Sequence, residues 1–169
     1  MTWIDWLVDV ALIGVVVLQL VGRRLTARGL LVPVVLVSWA GAHYLDGIPT
    51  AGNDLVLIAL AVALGAGLGV GAGVLTRVSR RDDGAVFARA TAWAAVLWVL
   101  GMGIRLVFQF YATHGGAVAV ARFSADHLLD ARAWVTALVL MAFAEVFGRT
   151  AVVWLRGQGV RRAVRAGAA

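Results

Sequence analysis

Cysteine and lysine are both absent from this chain of 169 residues. The first absence removes thiol nucleophiles, thiolate metal sites and redox switching, and with them a disulfide-stapled secreted domain. The second leaves all fifteen basic charges on arginine, which points to a GC-rich coding sequence rather than a chemical requirement. Charge of either sign is scarce, at 14% of residues against about 25% in soluble domains. Apolar residues fill the space, at 62% of the chain. A soluble core of this length buries roughly 70% of its surface and needs a charged shell around it, which this composition does not supply. The apolar content and aperiodic glycine also exclude intrinsic disorder and collagen. Lipid must cover much of the surface.

Crossing a hydrocarbon core about 30 Å thick takes roughly 20 apolar residues at 1.5 Å each. Five segments approach this: Trp3 to Val21, Leu30 to Leu45, Leu55 to Leu75, Val86 to Ala112 and Ala133 to Leu155. The second is short, with Pro33 placed in its first turn, where a missing amide proton costs little. Between the spans, residues 22–29, 46–54 and 76–85 read as turns. The longer connection from Thr113 to Arg132 is too polar for a sixth span, and its latter half either lies along the interface or starts the fifth helix early, with Ser124 as the N-cap.

The arginines separate by side. Eleven (Arg23, Arg24, Arg28, Arg77, Arg80, Arg81, Arg89, Arg156, Arg161, Arg162 and Arg165) fall on connections one and three and the tail, against two (Arg122 and Arg132) on the other side. By the positive-inside rule the N-terminus is outside and the C-terminus inside. Asp5, Asp9, Asp46, Asp54, Asp126 and Asp130 mirror the bias on the outer side, with Asp82 and Asp83 inside. A signal peptide has basic residues before its apolar stretch; here Asp5 and Asp9 precede it and Arg23 and Arg24 follow, so the first span is expected to stay as a helix. The expected organisation is an all-α integral membrane bundle of about five transmembrane helices over residues 1–155, with 156–169 as a basic cytoplasmic tail resting against anionic headgroups or serving only as a topology anchor.

Gly65, Gly67, Gly69, Gly71 and Gly73 alternate along the third span. On a helix they form two interleaved small-xxx-small series, a glycine zipper that lets another helix approach closely. The partner is either a span of the same chain or a second copy. Charges inside spans are more informative, since each costs about 2.5 to 3.5 kcal/mol at the bilayer centre. Arg105, Glu145 and Arg149 qualify. Glu145 and Arg149 share a face of the fifth span, and Arg105 shares one of the fourth with Gly101 and Gln109. Arg105 lies about 10 Å and Glu145 about 18 Å below the outer helix ends. Arg105, Gln109, Glu145 and Arg149 are therefore expected to form a polar core between these spans, either a net positive site for a carboxylate or anionic headgroup or a fixed clamp without ligand.

His43, His114 and His127 fall near the outer face with several aspartates, a donor set that suits zinc, copper, non-haem iron or haem. No metal-site spacing accompanies them. The chain has no nucleophile elbow, phosphate loop or intramembrane carboxylate pair. Trp3, Trp6, Trp134 and Trp154 lie near span ends, as in an aromatic belt, and Trp39, Trp93 and Trp98 are placed deeper, packing the bundle.

The stretch from Thr76 to Gly84, followed by Arg89-Ala90, Leu97-Trp98 and an intramembrane Arg105, resembles the CcdC-like small multi-span membrane proteins of high-GC actinobacteria over about residues 55–112. The resemblance implies a helical bundle in a bacterial plasma membrane and assigns no reaction. The expected function is a non-enzymatic one: structural, regulatory, or binding a small ligand or lipid. The alternatives are a membrane redox protein with haem or metal at the histidines, and a small transporter or channel with an Arg/Glu core. The lipid bilayer is the expected partner, with a second copy or another membrane protein beside it; no nucleic acid and no resident cofactor are expected.

Overall fold

The computed structural model describes residues 23–24, 26–44, 47–80 and 85–167. The first expected span, Trp3 to Val21, lies outside the described residues, which are mostly helical. In chain order the elements are β1 (Arg23–Arg24), α1 (Ala27–Tyr44), α2 (Asp54–Leu75), β2 (Arg77–Arg80), β3 (Val86–Arg89), α3 (Ala92–Thr113), α4 (Ala117–Asp126) and α5 (Ala131–Gly167). Among the described residues three helices are long and apolar enough to cross a membrane: α2, α3 and, in α5, Ala131–Arg162. The apolar part of α1, Arg28–Trp39, is shorter.

Helix starts follow from local chemistry. The Thr26 hydroxyl accepts the Gly29 amide at 3.2 Å, so α1 begins earlier than its apolar run and Pro33 falls in its second turn, not its first. The ring then leaves the Gly29 carbonyl without its usual helical donor. Thr91 caps α3, accepting the Ala94 amide at 3.2 Å, and the Asp130 carboxylate accepts the Arg132 amide at 2.8 Å at the head of α5. Ser124 is not a cap. It lies inside α4, where its hydroxyl donates to the Val120 carbonyl at 2.8 Å.

Connections one and three are not simple turns. Their arginine-bearing segments pair into a three-stranded antiparallel sheet in the order β1-β3-β2, and Val86 to Arg89 belongs to that sheet rather than to the fourth span. Four residues are too few for a period-two pattern to stand out, and β1 lies some sixty residues from its partner strand. At the same end, α2 stops with its last carbonyls satisfied. The Thr76 hydroxyl donates to Ala72, Thr91 donates to Leu75 at 2.9 Å, and Arg156 Nη1 donates to Gly73, Val74 and Thr76 at 3.2, 2.5 and 2.6 Å. These are the acceptors a helix end otherwise leaves open.

The core is thin and lies mainly between α2 and α5. An added Cβ at Gly65 would strike the Met141 carbonyl, at Gly69 the Glu145 carbonyl, and at Gly73 Val152 Cβ at 2.7 Å. Residue numbers rise together along this seam, so the two helices run parallel. Gly148 of α5 answers with its own close approach, 3.2 Å from the Ala66 carbonyl for a built Cβ. Gly71 faces Leu97 of α3, and Gly67 faces open space. On α1, Gly41 makes room for the Phe143 ring of α5. Large apolar residues point outward, with Trp39 and Trp93 both 71% exposed. These two tryptophans therefore lie on the outside of the bundle rather than deep in it.

Candidate functional site

Gly101 and Arg105 occupy successive turns of one face of α3, and Glu145 reaches them from α5. Arg105 Nη1 donates to Glu145 Oε2 at 2.9 Å, with the arginine side chain 20% exposed and the glutamate 4%. Gly101 is the reason the carboxylate fits. A Cβ there would lie 2.5 to 2.7 Å from the carboxylate oxygens and carbon, so the glycine is a notch in which the group sits. The main chain of Glu145 rests on Gly69 of α2 at the same level. One residue is thus held from two sides, its backbone by α2 and its carboxylate by α3.

The second carboxylate oxygen, Oε1, is buried and has no hydrogen-bond partner among the described residues. A half-used buried acceptor normally costs about 1 to 3 kcal/mol, so the oxygen is available to a further donor. Arg149 is half-buried on α5, one turn on from Glu145. Gln109 stays apart: it is exposed, and its backbone carbonyl rather than its carboxamide is engaged, accepting the Thr113 hydroxyl at 2.8 Å. The expected quartet is therefore an ion pair with a second arginine close by.

Around the pair, α3 meets α5 only over a short stretch and packs mainly on α2. Nearer the α4 end the gap is filled by aromatics. Phe108 stacks on Trp134 with ring centroids 4.8 Å apart, and the Trp134 N–H donates to the Ser124 hydroxyl at 2.9 Å. As numbers rise on α3 they fall on α5, so these helices run antiparallel.

Two of the histidines are placed for capping. His114 and His127 are the C-cap residues of α3 and α4. Each stacks on the aromatic residue four positions back, Phe110 at 4.3 Å and Phe123 at 4.1 Å. Their Nδ1 atoms lie 3.2 and 2.9 Å from the carbonyls of those residues. His43 lies in α1, and its side chain is outside the described residues. Among the described residues no group of three or more metal-ligating side chains comes together.

One polar lock has no counterpart in the sequence reading. Asp54 is fully buried, and its Oδ1 accepts the Asp130 amide at 2.8 Å. Asn53 donates from its side chain to the His127 carbonyl at 2.9 Å and from its backbone to Leu128 at 3.1 Å. The head of α2 is thereby tied to the loop between α4 and α5, where Leu128 takes φ +53°. Gly52-Asn53-Asp54 announces a turn and a helix start, but its partners are more than seventy residues away.

No curated protein and no solved structure matches the chain. A family described as CcdC protein matches residues 10–162, well beyond the stretch that carries the resemblance and including the glycine stripe and the ion pair. The chain belongs to the CcdC protein family.

Proposed function

We propose that this is a non-enzymatic polytopic protein of the bacterial plasma membrane that binds a single anionic group, a carboxylate or phosphate of a small molecule or lipid, in the seam between α3 and α5. The observation that carries the reading is the imbalance at the pair. Two arginines of the spans, Arg105 and Arg149, accompany one glutamate, and Arg105, which donates to it, keeps 20% of its side chain exposed while Glu145 keeps 4%. An arginine in hydrocarbon seeks a partner, and the surplus positive charge selects an anion over a cation. Native mass spectrometry of gently extracted protein tests this: a stoichiometric anionic adduct is expected, lost in Arg105→Ala. An adduct-free spectrum for wild type, or a set of adducts from which Arg105→Ala removes none, would refute it.

The finer topology is five crossings with the N-terminus out. Its support is the eleven-to-two arginine bias together with contacts at opposite ends of the bundle. Pairing of β1 with β3 puts the start of α1 at the sheet end of α2, and the locked head of α2 lies at the other end. α1 has to travel between them, and its 18 residues reach about 27 Å. The chain has no native cysteine, so single cysteines at Thr26 and Ser79 can be labelled in intact cells. Protection of both is expected, and tagging of either from outside would reverse the orientation.

A further inference from the structure

The sheet places like charges face to face. In the β2–β3 register Arg77 is opposite Arg89, and Ser79 is opposite Phe87. Directly opposed residues of an antiparallel pair share a face with Cβ atoms about 5 Å apart, and like charges there are destabilising. Arg77, Ser79 and Arg89 are exposed and Phe87 is half-buried on this face, while Val86 on the other is buried. β1 adds Arg24 opposite Phe87 in the register. The three strands and the loop joining β2 to β3 contain six arginines (Arg23, Arg24, Arg77, Arg80, Arg81, Arg89) and two acids (Asp82, Asp83). Even with both acids paired, a surplus of positive charge remains on the sheet.

The depth of this sheet identifies what can neutralise it. β2 starts two residues after α2 ends and β3 ends three residues before α3 begins. Both helices are 22 residues long, about 33 Å, which is close to the thickness of the hydrocarbon core. The strands therefore lie where headgroup phosphates lie, on whichever side of the membrane that end faces. We infer that the outer face of the sheet, built on the Arg77–Arg89 cross-strand pair with Phe87 beside it, is a binding platform for acidic phospholipid headgroups, separate from the α3/α5 seam. A phosphate beside the cross-strand pair accepts charge-assisted hydrogen bonds from arginines of this face and offsets the surplus positive charge of the sheet.

The test uses the full chain in neutral detergent doped with phosphatidylglycerol or phosphatidylcholine, with bound lipids counted by native mass spectrometry. Wild type should retain phosphatidylglycerol preferentially, and retention should fall with added salt. The double variant R77Q/R89Q should lose affinity by roughly thirtyfold, about fivefold for each arginine near an anionic layer. R77K/R89K, which keeps the charge, should retain most of the preference, and it decides the matter if the glutamine variant fails to fold. R77Q/R89Q should lose phosphatidylglycerol in an Arg105→Ala background as it does in the wild-type one, which separates this site from the seam. Equal retention of the two lipids by wild type, or undiminished phosphatidylglycerol binding by folded R77Q/R89Q, would overturn the inference. So would a short nucleic-acid duplex that binds through the same arginines while the two lipids are not distinguished.

Discussion

α5 has two seams that solve different problems. Against α2 it is held by bare backbone: Gly65, Gly69 and Gly73 bring the helices so close that a single methyl group would strike the opposing helix. Against α3 it touches little, and the gap is bridged by the Arg105–Glu145 pair and by Phe108 stacked on Trp134. In lipid, apolar side chains gain little from facing each other rather than acyl chains. Helices there associate either by very close packing or by polar contacts that hydrocarbon cannot satisfy. The first seam uses shape and the second uses charge. Glu145 belongs to both, with its carbonyl on Gly69 and its carboxylate on Gly101, so the close seam positions the residue that bridges the open one.

The largest effect is expected at that shared residue. Glu145→Ala strands the Arg105 guanidinium and should lower stability in detergent by about 3 kcal/mol, the lower end for breaking a buried pair because Arg105 is partly exposed; an unchanged thermal midpoint would mean that the pair does not hold the seam. Replacing both partners together, Arg105→Met with Glu145→Leu, should recover most of the loss while abolishing anion binding.

Next comes the close seam itself. Gly69→Ala should cost about 2 kcal/mol through overpacking against the Glu145 carbonyl, read as a lower midpoint and weaker Arg105-dependent binding, because displacing the backbone of Glu145 moves its carboxylate. Trp134→Phe keeps the stack on Phe108 and removes the donor to Ser124, so a loss of about 1 kcal/mol is expected from thermal unfolding. The smallest effect has the opposite sign. Gly67 faces open space, and Gly67→Ala should leave the midpoint unchanged or raise it by up to about 1 kcal/mol of helix propensity. A large loss at Gly67 would reveal a second helix on that face, as a homo-oligomer would supply.

The glycine stripe and the intramembrane charges are legible in the sequence because both are exceptions within apolar runs. Which glycine series faces α5 is not, since Gly65/Gly69/Gly73 and Gly67/Gly71 have the same spacing. Cost alone marks Arg105 and Glu145 as partners, as few other groups within the spans could satisfy them. Gln109 joins them by helical periodicity, which places residues on a face without showing that a partner lies opposite. The sheet is hidden because its strands are two to four residues long and the sidedness rule already accounts for its arginines. The histidines, conspicuous as possible ligands, include two at helix ends, His114 and His127, where each closes a local turn on an aromatic neighbour.

Residence in lipid and helical character follow from composition and run length, since partition into hydrocarbon sums over neighbouring residues and needs no distant partner. Register does not. The match of Gly69 to Glu145, of Arg77 to Arg89 and of Asp54 to Asp130 joins residues 76, 12 and 76 positions apart. A helix face repeats every turn and a strand every second residue, so several alignments are locally equivalent. Folding selects the alignment in which backbones nest and no charge is left alone in the oil.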